Sequence, residues 1–281
     1  MEKKLTIADI IAMKAKGERI AMLTAYDVSF ARLLDSTGIE MILVGDSLGM
    51  VLLGYDSTVP VTMAEMLHHA RAVRRGVKRA LLVGDMPFLS YQVSETEAVV
   101  NGGRFLKEAG CDAVKIEGGF AVCDTVRALV KAGIPVMGHI GLTPQTASQL
   151  GGYKVQGRDL DSARRLVVEA KALVEAGVFS LVLECIPAQL AEAITASVRV
   201  PTIGIGAGPH CDGQVLVTHD LLGMFEKFRP SFVKTYVDLA PQIRAALTAF
   251  KEEVSSGTFP DAEHSFSMQA EVKDLLDDKG A

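Results

Sequence analysis

Four acidic residues, a lysine and a histidine recur at one kind of place in this chain, the polar end of a short apolar run. Val44-Gly45-Asp46-Ser47 and Val83-Gly84-Asp85-Met86 share a Val-Gly-Asp ending, and Ala113-Val114-Lys115-Ile116-Glu117 carries two charges within its run. Met137-Gly138-His139 and Leu183-Glu184-Cys185 close two more. Lys115 and Glu117 are two residues apart, so on a strand they project from the same face, with Val114 and Ile116 on the other. A lone ion inside a protein is costly, and neighbouring carboxylates repel unless a cation sits among them. Oxygen donors with no cysteine or paired histidine beside them suit Mg²⁺ better than zinc. Singly, each residue has a plainer explanation. Asp46 or Asp85 could cap the following turn, Lys115 and Glu117 could be a structural ion pair, and Glu184 could cap the turn before Pro187. His139 could simply be a hydrogen-bonded structural histidine. Their coincidence on successive run ends favours chemistry.

The elements that must hold these residues follow an alternation of apolar runs and helical patterns, the βαβα signal of a parallel sheet. Eight strands are expected, at Ile20–Ala25, Met41–Val44, Ala80–Val83, Ala113–Glu117, Pro135–His139, Ser180–Glu184, Pro201–Ile205 and Phe232–Tyr236. Their nearly unbroken apolar character fits strands buried on both faces. Helices are expected between them at Val28–Ser36, Met63–Arg75, Glu95–Glu108, Ala121–Lys131, Ser162–Glu175, Ala188–Ala196 and Val215–Leu222, with a last one at Pro241–Val254. Gly38, Gly76, Gly110, Gly133 and Gly177 stand where helices end, as left-handed terminators would. A (β/α)₈ TIM barrel of residues 1–254 is the expectation, with an initial helix, Ile7–Lys16, capping its bottom and residues 255–281 forming a C-terminal tail. In such barrels the chemistry lies at the C-terminal ends of the strands, where the charges fall. An open doubly wound sheet would ordinarily place a glycine-rich turn after its first strand, whereas here that run ends Thr24-Ala25-Tyr26-Asp27. Ile203-Gly204-Ile205-Gly206-Ala207-Gly208 is compatible with either a phosphate-binding loop or a tight, closely packed turn.

With 281 residues, 49% of them hydrophobic, the chain can bury a large core, and ~250 residues suit one such barrel. A net charge of −5 argues against nucleic acid or an anionic membrane as partner and for a small-molecule substrate. The four cysteines form no CxxC pair, as expected of reduced thiols serving as small core residues. No apolar run reaches the ~18 residues of a membrane span, and the first residues lack the apolar core of a signal peptide. A cytoplasmic location is expected.

Taken with Leu23-Thr24-Ala25-Tyr26-Asp27, Gly138-His139-Ile140-Gly141-Leu142-Thr143-Pro144-Gln145 and Leu183-Glu184-Cys185-Ile186-Pro187, these motifs resemble the ketopantoate hydroxymethyltransferase family. The resemblance runs from about residue 5 to Glu263-His264-Ser265-Phe266. It implies transfer of a hydroxymethyl group from 5,10-methylenetetrahydrofolate to 3-methyl-2-oxobutanoate, giving 2-dehydropantoate in pantothenate biosynthesis. Carried over by position, Asp46 and Asp85 would hold Mg²⁺, with Glu117 completing the metal site. Asp46, Ser47, Asp85 and Lys115 would contact the keto acid, Glu184 would be the general base, and His139 matches a residue of the substrate pocket. The resemblance also implies a homo-oligomer, commonly a decamer of five dimers. With no Trp in the chain, the pterin would stack largely on aliphatic side chains.

Two rivals are testable. A phosphoenolpyruvate mutase or isocitrate lyase relative would share the barrel and an Asp-Ser after strand 2, but the Lys-Lys-Cys-Gly-His loop of isocitrate lyases does not occur here. A catalytically dead barrel acting as a scaffold would be expected to have lost at least one of the mouth charges.

Overall fold

In the computed structural model, which describes residues 3–149 and 151–269, the apolar runs close into a barrel of eight parallel strands in the order β1 to β8. The strands are β1 Ile20–Thr24, β2 Met41–Val44, β3 Leu81–Asp85, β4 Ala113–Glu117, β5 Val136–Gly141, β6 Ser180–Glu184, β7 Thr202–Ile205 and β8 Gly213–Leu216. Their alternating faces feed two separate apolar clusters. Met22, Met41, Leu43, Leu81, Val83, Ala113, Met137, Val182 and Ile203 fill the barrel interior. Val114, Ile116, Ile42 and Leu181 point outward, into the layer between strands and helices. The parity inferred for Lys115 and Glu117 therefore holds: their outward neighbours pack under helices and both charges enter the barrel.

The helices are α1 Ile7–Lys16, α2 Val28–Ser36, α3 Leu48–Val51, α4 Met63–Arg74, α5 Glu95–Lys107, α6 Cys123–Lys131, α7 Leu160–Ala176, α8 Ala188–Ser197, α9 Thr218–Leu221 and α10 Leu239–Ser256. Asp27, Thr62, Ser94 and Asp159 each accept a first-turn amide at the head of a helix, satisfying donors that would otherwise be left open. As expected, α1 plugs the bottom: its Ile10 is fully buried within the interior cluster. Gly38, Gly110, Gly133 and Gly177 have positive φ, but Gly76 does not. Its reason is space, since a Cβ there would lie 2.7 Å from the Ala31 Cβ of α2.

The expected eighth strand is wrong. Phe232–Tyr236 is irregular, and the barrel is closed by Gly213–Leu216, part of which had been expected to be a helix. β8 pairs with both β7 and β1, and only the loop 206–212 separates it from β7. No crossover helix marks the step, so the strand–helix rhythm that reveals the other seven is absent there. In its place Val215 enters the barrel interior, and the Thr218 amide donates to Thr24 Oγ1 (3.1 Å) to tie the strand end to β1. The outer faces of β1 and β8 are correspondingly bare, with Ala21 and Gln214 exposed. The last helix, α10, buries none of its residues. Of the expected tail, residues 270–281 lie outside the described residues, and α10 extends two residues into it.

Candidate active site

Parallel register brings the charges together. Asp85 on β3 is the partner of Lys115 on β4, Glu117 on β4 is the partner of His139 on β5, and Gly141 on β5 is the partner of Glu184 on β6. Asp85, Lys115, Glu117, His139 and Glu184 line a cavity of about 340 Å³ at the C-terminal mouth, with Asp46 and Ser47. Lys115 Nζ lies 2.8 and 2.9 Å from the two oxygens of Asp85 and 3.2 Å from Glu117 Oε1. The imidazole of His139 lies between two carboxylates, with Nδ1 3.4 Å from Glu117 Oε1 and Nε2 3.2 Å from Glu184 Oε2. Both are ion-pair contacts, since neither ring nitrogen is aligned for a hydrogen bond. Every sequence-predicted site residue thus belongs to one cluster.

The capping explanations fail. Asp46 accepts a hydrogen bond from Gln145 Nε2 (2.9 Å), and Asp85 accepts the Asp46 amide (3.3 Å). The residues preceding α3 and α8 are Ser47 and Pro187, and neither helix has a side-chain cap. Ser47 Oγ instead pairs with the Tyr26 hydroxyl at 2.8 Å.

Two residues with no expected role complete the frame. Gln145, on the turn after β5, donates its amide N–H to Glu117 Oε2 (3.1 Å) as well as its side chain to Asp46. The Tyr91 hydroxyl donates to Gln145 Oε1 (2.7 Å) and accepts the Glu117 amide (3.1 Å). Gln145 stood within a quoted motif, and its polarity beside Pro144 was the available signal. Tyr91 gave none, because its loop returns to β4 only in three dimensions.

Charge balance within the cluster is uneven. Burial works against every ion here, yet Lys115 is held well above the ordinary lysine value by Asp85, Glu117 and Asp46. Glu117 is likewise buried, but Lys115, His139 and the Gln145 amide bring it down to about 2. Burial and the Lys115 ammonium pull His139 down, and the Glu117 and Glu184 contacts outweigh them, raising it to about 9. Asp46 is left over. Burial, then Asp85 and Glu117, push it well above the usual carboxylate range, and Asp85 is raised too, chiefly by burial.

Among the described residues, no three His, Cys, Asp or Glu side chains are already gathered as a ligand shell. Lys115 bridges Asp85 and Glu117, and Asp46 faces them with only an amide donor. The surplus negative charge on Asp46 is what a hard cation would neutralise, and the donors are all oxygen. The residues fit a divalent metal of the Mg²⁺ type.

The base end of the site depends on backbone. Gly141 has φ 96°, and a Cβ on it would sit 2.2 Å from the Glu184 carbonyl oxygen. That oxygen accepts the Leu142 amide at 2.9 Å, so the absent side chain lets β5 and β6 close beside Glu184. The glycine string after β7 is a packed turn: a Cβ on Gly206 would meet the Phe232 ring at 2.8 Å and one on Gly208 would meet Ala188 at 2.4 Å.

The sequence profile of the ketopantoate hydroxymethyltransferase family matches residues 4–262. The chain belongs to that family. It is 64% identical to 3-methyl-2-oxobutanoate hydroxymethyltransferase of Desulfotalea psychrophila, over 96% of this chain and 97% of that one. Among solved structures it resembles phosphoenolpyruvate phosphomutase from Streptomyces platensis subsp. rosaceus, with a TM-score of 0.62 at 16% identity over 98% of this chain and 96% of the other. It also resembles a phosphonopyruvate hydrolase complexed with oxalate and Mg²⁺, with a TM-score of 0.59 at 15% identity over 98% and 96%. At such identities these two likenesses concern the barrel alone. The mutase and lyase alternative survives only as kinship of fold, and family members share the hydroxymethyltransferase name.

Proposed function

We propose that the protein transfers the one-carbon unit of 5,10-methylenetetrahydrofolate to 3-methyl-2-oxobutanoate, forming 2-dehydropantoate. The observation that carries this reading is the Asp46–Asp85–Lys115–Glu117–His139–Glu184 array, converging in one mouth of a chain of this family. Asp46 and Asp85 would hold Mg²⁺, with Glu117 completing the site through water, and the bound cation would supply charge stabilisation for an enolate oxygen. Asp46, Ser47, Asp85 and Lys115 bind the keto acid, Lys115 by setting its ammonium against the developing negative charge.

Glu184 is the base. Its side chain is the most exposed carboxylate of the cluster, 15% against 2% for Asp85 and Glu117. Lys115 does not touch it, and its one ion-pair partner is His139 at 3.2 Å; its exposure to the cavity lets it take the proton from C3. The C3 carbanion equivalent then bonds to the donor methylene, whose bonds to the folate nitrogens break, and water supplies the hydroxyl oxygen. His139, an imidazolium between Glu117 and Glu184, orients the base and separates it from the metal-side carboxylates.

The barrel of residues 1–254 is read as the catalytic domain, with 255–281 as a tail. No described helix is long and apolar enough to cross a membrane, and a cytoplasmic location is proposed. So is a homo-oligomer, a decamer by resemblance. α10 supports self-association: Ile243, Leu247, Phe250 and Val254 line one of its faces and are 42–64% exposed, while the outer faces of β1 and β8 lack a covering helix. A bare apolar stripe of this kind marks an interface.

The test is an assay of keto acid, methylene donor and Mg²⁺. Release of tetrahydrofolate, abolished by EDTA and restored by Mg²⁺, is expected, with phosphonopyruvate untouched. Turnover that survives exhaustive chelation would refute the metal's role.

A further inference from the structure

The cluster occupies the β2–β6 side of the mouth and leaves the β7–β8 side chemically different. There the cavity is walled by Ile205, Val215, Phe225, Phe228, Phe232 and Val233. Phe228 is 62% exposed at the rim. One acid interrupts this wall. Asp220, in the short helix after β8, lines the cavity and is half-buried. Among the described residues, no donor hydrogen-bonds its carboxylate and no cation pairs with it directly. Burial pushes it up to about 6, with Arg229 opposing only through space. An acid in an apolar wall without a donor is costly to keep, and neither metal nor keto-acid binding uses it.

We propose that this β7–β8 sector seats the pterin ring of the folate donor, with Asp220 accepting its paired N–H donors and the phenylalanines covering its faces. This rests on the functional reading above and locates the second substrate within it. A reduced pterin presents a 2-amino group and the adjacent ring N–H side by side on one edge, matching the two oxygens of a carboxylate. Such a bidentate, charge-assisted pair is both strong and orienting. The ring faces are apolar and suit stacking against phenyl groups. The wall is more aromatic than the lack of tryptophan suggests, because three phenylalanines come from the irregular segment between α9 and α10. Topology fits the chemistry: the ring on β7–β8 and the keto acid on β2–β5 would face one another across the mouth, with Glu184 on β6 between them.

The test uses Asp220→Asn and Phe228→Ala in the full-length protein with Mg²⁺. Asn keeps the shape of Asp but sets an amide N–H₂ against the donor edge. The KM for 5,10-methylenetetrahydrofolate should rise roughly ten- to a hundredfold in Asp220→Asn and roughly three- to tenfold in Phe228→Ala. The KM for keto acid, and folate-free exchange of its C3 hydrogen with D₂O, should stay within twofold of wild type. Unchanged folate KM in both variants overturns the seat. So does a parallel fall in exchange and in folate affinity, which would make these residues structural. If the wild-type protein neither exchanges the C3 hydrogen nor consumes the methylene donor, the functional reading itself has failed, a result visible before any variant is made.

Discussion

Replacing Lys115 by Met keeps most of its length and removes its charge from between Asp85 and Glu117. In the intact site burial raises Glu117, but Lys115 and then His139 bring it from the ordinary 4.5 to about 2. At ~1.4 kcal/mol per tenfold change in proton affinity, that gap corresponds to about 3 kcal/mol of stability. Because the folded value is depressed, this contribution is complete above pH 4.5 and is lost as pH falls towards 2. In Lys115→Met the sign reverses. Glu117 then sits buried beside Asp85 without its main countercharge, its folded value rises above the unfolded one, and the variant loses stability as pH climbs towards neutrality. Removing one partner of a buried ion pair typically costs ~3–5 kcal/mol. Urea unfolding at fixed protein concentration, with EDTA, should therefore show a deficit of about 3–5 kcal/mol at pH 7.5. The deficit should shrink at pH 5 as the carboxylates take up protons, and saturating Mg²⁺ should offset part of it at pH 7.5. A metal-free variant within ~0.5 kcal/mol of wild type at pH 7.5, the range of an ordinary surface change, would refute the charge balance described here.

Asp46→Asn should leave the fold intact and raise metal-free stability at pH 7 by about 1 kcal/mol, because a crowded carboxylate becomes neutral; activity should be lost and not restored by excess Mg²⁺, which thermal unfolding and the folate-release assay would show. Gly141→Ala should cost about 2 kcal/mol or more from the left-handed backbone and the clash with the Glu184 carbonyl, with a fall in kcat exceeding any change in keto-acid KM. Ile243→Asp combined with Leu247→Asp on α10 should yield a smaller species by light scattering at micromolar concentration, whereas an unchanged mass would remove α10 from the interface.

Seven strands were legible because each is a largely apolar run bounded by polar or glycine residues, buried on both faces in all but β1, where Ala21 is exposed. β8 was not, because Gln214 sits on an uncovered face and no helix separates the strand from β7. Phe232–Tyr236 read as a strand for the opposite reason. Phe232 and Val233 are apolar and β-compatible, but they wall the cavity rather than join the sheet. The charged site was legible through parity: register alone sets Asp85 beside Lys115 and Glu117 beside His139 once the strands are placed. Gln145 and Tyr91 could not be assigned roles because they reach the cluster from loops, where spacing carries no geometric information. Asp220 lies within the helix expected at Val215–Leu222, whose later residues do form α9, but no strand end beside it marked it as facing the mouth.

The proposed reaction turns on Glu184 as the group that removes the C3 proton. NMR of 3-methyl-2-oxobutanoate in D₂O with Mg²⁺ and no folate isolates that step. Wild-type protein should exchange the C3 hydrogen, and Glu184→Gln should bind the keto acid with similar affinity yet exchange it ~10²–10⁴-fold more slowly, the contribution typical of a positioned base. Wild-type-like exchange by Glu184→Gln would contradict the account and move the base elsewhere, with His139 the next residue to test.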